Sequence, residues 1–313
     1  MATETSQRSS STVRQRIVGL FSSPLSRLGI TVGPSLIWLF LLLLAPLTFM
    51  VTVSFLTVDS FTYQIIWDQP TAENYTGLFS GTGPFWESSF SQSLLLSYFI
   101  ASVTTVLCLL LAFPLAYFLA RRGGRTFKIV IFLVLLPFFT MYLVRAYSWL
   151  LMFGPSGAIN DTLLWLGIVN SPIETLDYGV PAIIVGLTHA YFPYMLLSLY
   201  ASLDGLDFSL VEAARDLGAS RVGTFKDIIL PLVLPGIISG SLFVFVPSLG
   251  AFITPRFLGQ GKVLMIGQLI EDRISSLYAI DYGSAASMFI VVSVVIAFAL
   301  AFRYVTIEEL GGA

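Results

Sequence analysis

Six apolar runs, at about 33–56, 91–120, 129–153, 180–203, 231–255 and 282–303, alternate with polar stretches along the chain. Each run reaches or exceeds the ~20 residues that an α-helix needs to cross a bilayer. The pattern predicts an all-α, polytopic membrane protein with six transmembrane helices. The second run is about 45 Å long if helical throughout, and Pro114 inside it predicts a kink. The third predicts one continuous span. The fifth carries Pro235, Gly236, Gly240, Pro247 and Gly250 and predicts a broken helix, a feature tolerated at membrane depth where backbone lines a cavity or packs on protein.

Charge fixes the expected orientation. Of sixteen Lys and Arg, four lie in the N-terminal segment (Arg8, Arg14, Arg16, Arg27) and four follow the second run (Arg121, Arg122, Arg125, Lys128). Three more sit between runs four and five (Arg215, Arg221, Lys226), and Arg303 follows the sixth. These twelve fall on one side; the other side holds Arg256, Lys262 and Arg273, and Arg145 lies within a run. The excess predicts that both termini and the 204–230 loop are cytoplasmic. The expected organisation is a cytoplasmic segment 1–28, a six-helix domain 29–303 containing the 204–230 loop, and a cytoplasmic tail 304–313. Residues 13–28, which mix Arg14, Arg16 and Arg27 with apolar residues, suit an interfacial helix or a loose tail that only sets topology.

Composition agrees and excludes much. The chain has 313 residues, 56% of them hydrophobic and 11% charged, with a mean hydropathy of +0.86. A single Cys, Cys108, and a single His, His189, leave no thiolate cluster or multi-His metal site. No G-x-x-x-x-G-K-[ST] is present, so no P-loop binds nucleotide here.

The polar island Glu212–Pro231, between two long apolar runs, carries the most specific chemistry. Ser209 and Glu212 stand at capping-box spacing and predict the start of a short helix. Leu210, Ala213, Ala214 and Leu217 share its apolar face, and Gly218 suits a left-handed C-terminal residue. Ser220 is placed to cap a second helix striped by Val222, Phe225 and Ile229, with Pro231 opening the next span. A helix-turn-helix with an apolar face and no core of its own needs a partner.

Glu212, Ala213, Ala214, Gly218, Ile228, Leu230 and Pro231 reproduce the spacing of a known motif. It resembles the coupling motif of permease subunits in binding-protein-dependent (type I) ABC importers, which in that family docks into a cleft on a cytoplasmic ATPase. On this resemblance Phe225 joins those residues as an ATPase-coupling site. The resemblance implies the type I permease fold, a second and different permease subunit, two ATPase subunits that bind ATP and Mg, and an external substrate-binding protein. It implies no cofactor in this chain, no catalysis by it, no nucleic-acid partner and a place in the cell membrane.

The end of the third run, Leu143 to Trp149 followed by Gly154 to Asn160, looks most similar to the spermidine/putrescine branch. Candidate pathway residues are Arg145, Tyr147, Trp149, Tyr191, Phe245, Pro247, Ser248 and Phe252. Two roles fit Arg145: a pathway group, as intramembrane ionisable residues commonly are, or a snorkelled or paired structural Arg. From Ile129 it would lie roughly 24 Å along a straight helix, near the outer interface. His189 and Tyr191 stand beside Pro193 and suit the backbone groups that Pro193 frees; no carboxylate lies in any run to complete a proton relay.

The outer loops carry Asp59, Asp68, Glu73, Glu87, Asp161, Glu174, Asp177, Glu271, Asp272 and Asp281 against three bases. That field favours an incoming cation, and aromatic faces at Tyr147, Trp149 and Tyr191 suit one. The expected function is an importer permease for a polyamine. The alternatives are a neutral or anionic solute carried by a sister branch, and a self-sufficient secondary transporter, which the lack of Asp, Glu and Lys in the runs disfavours.

Overall fold

The computed structural model describes residues 24–59, 62–80, 84–173 and 177–304. The expected interfacial helix falls largely, and the C-terminal tail almost wholly, outside them. The chain is helical, with one small ribbon. In order, α1 (Pro24–Ser54) leads to strands β1 (Leu56–Val58) and β2 (Ile65–Pro70), then α2 (Glu73–Leu78) and the long α3 (Ser89–Arg122). Next come α4 (Gly124–Leu135), α5 (Tyr142–Met152), α6 (Ala158–Trp165) and α7 (Val180–Asp204). The cytoplasmic pair α8 (Phe208–Asp216) and α9 (Arg221–Thr224) precedes α10 (Leu230–Leu249), α11 (Ile253–Gly259), α12 (Ile266–Leu277) and α13 (Ile280–Tyr304).

The core is the mutual packing of α3, α7 and α10. Burying apolar side chains gives helices little reason to associate in lipid, so close backbone approach has to be allowed by small residues. On α3 these are Ser97, Ala101, Thr104, Cys108, Ala112 and Ala116, three or four residues apart and all buried. On α10 they are Gly236 and Gly240. A Cβ at Gly236 would lie 2.7 Å from Ser202 Cβ and 2.9 Å from the Ser198 carbonyl, and one at Gly240 would lie 2.7 Å from Met195 Sδ. By contrast α1 packs mainly on α13, and Leu36 to Leu44 are exposed on every side, as suits lipid contact.

The expectation of a continuous helix in the third run is corrected: α4, prolonged by a 3-10 turn (Leu136–Phe139), meets α5 at 92°. Pro137 lacks the N–H that would continue the helical ladder. Thr140 and Met141 then adopt extended backbone, with ψ of 145° and 138°, while the Thr140 hydroxyl donates to the Pro137 carbonyl at 2.6 Å. The 24 Å path along a straight helix therefore does not place Arg145. The break expected in the fifth run is found at Gly250, just past Pro247, where α10 stops and α11 starts at Ile253; at Pro235 the helix runs on unbroken. A further irregularity precedes α10, in a π turn at Phe225–Ile229.

The stretch after α10 folds back instead of forming a loose outer loop. The Ile266 amide donates to Ser97 Oγ at 2.8 Å in a buried contact, about 12 Å into α3 from its start. Gly267 lies so close to the Gly250 carbonyl that a Cβ would collide with it. On the same outer side Asn74 Nδ2 donates to the Ser54 and Leu56 carbonyls at 3.0 and 2.8 Å, which ties α2 to the end of α1.

Gly236→Ala should therefore destabilise the purified protein by about 1–3 kcal/mol through overpacking. Gly77→Ala, where a Cβ meets nothing within 4 Å, should be neutral. Equal melting temperatures for the two variants in detergent would contradict the close-approach account.

Candidate functional site

The hairpin between α7 and α10 is built by its caps. Asp207, not Ser209, caps α8: its carboxylate accepts the Ser209 amide at 2.9 Å. That hydrogen bond holds the Asp207 carboxyl below its ordinary pKa. The expected Ser209–Glu212 capping box is thus not formed, because the helix begins at Phe208 and leaves Glu212 in its second turn. There Glu212 Oε1 lies 3.6 Å from Arg121 Nη2 at the end of α3. Both side chains are well exposed, a setting in which ion pairs contribute at most about 1 kcal/mol. Gly218 has the expected left-handed φ of +89°, with its amide on the Arg215 carbonyl at 2.9 Å and the Ala219 amide on Ala214 at 3.0 Å. Ser220 caps α9 as expected, its hydroxyl accepting the Gly223 amide at 3.1 Å.

These caps fix which apolar residues go in and which stay out. Val211, Thr224 and Ile229 are buried, and Ile228 is half-buried against the same core. Leu217 is 90% and Val222 75% exposed, with Leu210 and Phe225 also exposed. Ala213 is exposed, Ala214 and Leu230 are half-buried, and Pro231 stands in the first turn of α10. Sequence reasoning missed the inner clamp on α3. Phe113 meets Phe225 edge-on at 5.5 Å, Tyr117 meets Phe208 at 5.8 Å, and Arg121 stands over the Phe208 ring at 5.6 Å. Their four-residue spacing, one helical face, was the available signal.

The bend between α4 and α5 gathers part of the other candidate set. Arg145 places its guanidinium 4.4 Å over the Phe138 ring and 5.5 Å from that of Tyr142. Its Nε and Nη1 are enclosed and have no hydrogen-bond partner. One turn along α5, Trp149 Nε1 donates to His189 Nδ1 at 3.2 Å, which makes that nitrogen the unprotonated one. Tyr142 and Thr254 hydroxyls are 2.6 Å apart, and the Tyr191 hydroxyl donates to the Pro247 carbonyl at 3.3 Å. A cavity of about 620 Å³ lies beside this cluster, lined by Pro137, Phe138, Trp149, Thr188 and His189 among others.

Four candidates stand elsewhere. Tyr147 is exposed against Phe257. Phe245 packs between Tyr98 and Phe298. Ser248 is fully buried with its hydroxyl unpartnered. Phe252, 41% exposed, borders a second groove of about 420 Å³ with Gly250, Gly267 and Glu271. On the outer side, Lys262 binds Asp177 at 2.6 Å and Arg256 binds Glu271 at 2.6 Å and also Asp272. The hydrogen bond from Lys262 holds the Asp177 carboxyl below its ordinary pKa, so it is ionised at neutral pH.

A multi-pass helical bundle with a capped, apolar-faced hairpin and an internal bend suits a membrane transport component. The chain belongs to the family described as binding-protein-dependent transport system inner membrane component, whose model matches residues 112–307. It is 36% identical over 253 residues to the spermidine/putrescine transport system permease protein PotB of Escherichia coli (strain K12), covering 80% of this chain and 88% of that protein. It is 37% identical over 259 residues to PotB of Haemophilus influenzae, covering 83% and 87%. Its fold matches a chain in the crystal structure of a bacterial alginate ABC transporter in complex with alginate pentasaccharide-bound periplasmic protein, with a TM-score of 0.63 and 19% identity over 86% of this chain and 91% of that one.

Removing the α9 cap by Ser220→Ala should cost about 1 kcal/mol of local stability. Amide exchange at Gly223 should then quicken about fivefold under native conditions. Unchanged exchange there would show that the hairpin does not depend on this cap.

Proposed function

We propose that this chain is the permease half of an ATP-driven importer that carries a polyamine such as spermidine or putrescine. In this reading it pairs with a second, different permease subunit and receives its cargo from an external binding protein. Two cytoplasmic ATPase subunits bind ATP and Mg; this chain needs no cofactor. The observation that carries the proposal is the exposed apolar face of the hairpin, Leu210, Leu217, Val222 and Phe225, held rigid by caps at Asp207, Gly218 and Ser220. Such a face in water calls for a hydrophobic cleft. Glu212, Ala213, Ala214, Gly218, Ile228, Leu230 and Pro231 stand around it as the coupling set, with both termini on the same cytoplasmic side.

ATP-driven closure of the ATPases would move the two docked hairpins, and α3 and α10 would carry that motion to the bend. The path proposed for the cargo runs past Arg145, Trp149, Tyr191 and Pro247, with Phe252 at its outer groove. Tyr147, Phe245 and Ser248 stand away from that path. A polyamine cargo is supported by the PotB relatives and by charge. The three outer bases each engage an acid or an aromatic ring, Arg273 standing 4.8 Å over Tyr282. The outer carboxylates outnumber them, and a negative outer field favours a cation.

Glu212→Lys and Gly218→Val test the coupling half. The second places a branched side chain at φ +89°, a strain of roughly 1–2 kcal/mol. Both variants should insert and fold, yet lose ATPase association or at least tenfold in uptake; wild-type uptake by both would remove the coupling role. Labelled spermidine should enter vesicles holding the whole complex only with ATP. Transport of anions alone would refute the polyamine half and leave the coupling half standing.

A further inference from the structure

We propose that Arg145 is a tethered occupant of a cation site that the cargo itself uses, so that its guanidinium closes this half of the pathway until a substrate ammonium displaces it. The inference rests on the polyamine reading above. Its starting point is the way Arg145 is held. The guanidinium lies on ring faces, 4.4 Å from Phe138 and 5.5 Å from Tyr142, and Nε and Nη1 make no hydrogen bond. No Asp or Glu occurs in any of the six apolar runs. A structural Arg at membrane depth is held by carboxylates or carbonyls; this one has only the faces.

The walls around it are fixed, whereas the cation is not. Tyr142 is held by Thr254 at 2.6 Å, and Trp149 by His189 at 3.2 Å. Phe138 sits in the 3-10 turn between Pro137 and the extended Thr140. Aromatic faces bind ammonium and guanidinium groups alike, so the surfaces that hold Arg145 are chemically those that an alkyl ammonium needs. The neighbouring cavity of about 620 Å³, which Phe138 and Trp149 line, gives a cargo room to reach them. A fixed positive charge there would repel a polyamine, so a cationic cargo passes only if Arg145 swings away. Its lack of hydrogen bonds and ion pairs is what lets it do so.

The test uses the complete complex in vesicles, with labelled spermidine as probe. Arg145→Gln should raise spermidine entry in the absence of the binding protein at least threefold and raise basal ATP hydrolysis with it. Arg145→Lys, which keeps the charge but not the planar stack, should leak less than Arg145→Gln. Normal assembly of Arg145→Gln with unchanged binding-protein-independent entry overturns the gate, as does loss of gating in Arg145→Lys equal to that in Arg145→Gln. Should Arg145→Gln fail to assemble, Phe138→Leu removes the closer ring face while keeping apolar bulk. It should raise the same leak, and its failure to do so equally overturns the gate. If the wild-type complex imports no spermidine at all, the polyamine reading is what fails, and this inference falls with it.

Discussion

Everything in this molecule hangs on the close approach of α3, α7 and α10. Two of these helices carry their own small-residue surface: Ala101, Cys108, Ala112 and Ala116 on α3, and Gly236 and Gly240 on α10. Because lipid solvates apolar side chains as well as protein does, contact at the backbone is what makes this association specific. The tripod then positions both functional regions. The hairpin is held between the C-terminal ends of α3 and α7 and the start of α10, while α5 and α11 pack on α7.

The hairpin and the bend differ in what holds them. The hairpin is stabilised locally, by side-chain caps and a left-handed glycine, and anchored through Val211, Thr224 and Ile229. Its remaining apolar residues are exposed, which leaves a surface that nothing among the described residues covers. The bend is stabilised by the core instead, through the hydrogen bonds that join Tyr142 to α11 and Trp149 to α7, while Tyr191 ties α7 to the end of α10. Arg145 is the cation placed there, and among the described residues its contacts are aromatic faces.

Hydropathy was enough to find five of the six spans to within a few residues, since length and apolarity decide a lipid-crossing helix almost alone. It missed the bend in the third because a bend needs only Pro137 and two extended residues, and these leave the run just as apolar. In the fifth the break was legible at Gly250, whereas Pro235 suggested another that neighbouring helices accommodate. Gly218 and Ser220 were legible because one residue type suits each position. The α8 cap was misplaced by two residues because Asp207 and Ser209 are both good caps and nothing local separates them. Tertiary contacts such as that of Ser97 with the Ile266 amide leave no local signature. The coupling set was therefore readable as a motif, and the cluster around Arg145 only as separate residues.

The central claim is that the exposed hairpin face is where the ATPase docks. Cys108 is the sole native cysteine and is buried, so single cysteines at Leu217 and Val222 in a Cys108→Ser background permit a direct test by cross-linking within the assembled complex. Trp165, 84% exposed, lies before the start of α7 while the hairpin follows its end, and supplies the control. Cysteines at 217 and 222 should cross-link to the ATPase subunit with a yield that changes on adding ATP, and cysteine at 165 should not. Cross-linking at 165 as strong as at 217, or none at either hairpin position in any nucleotide state, would contradict the account.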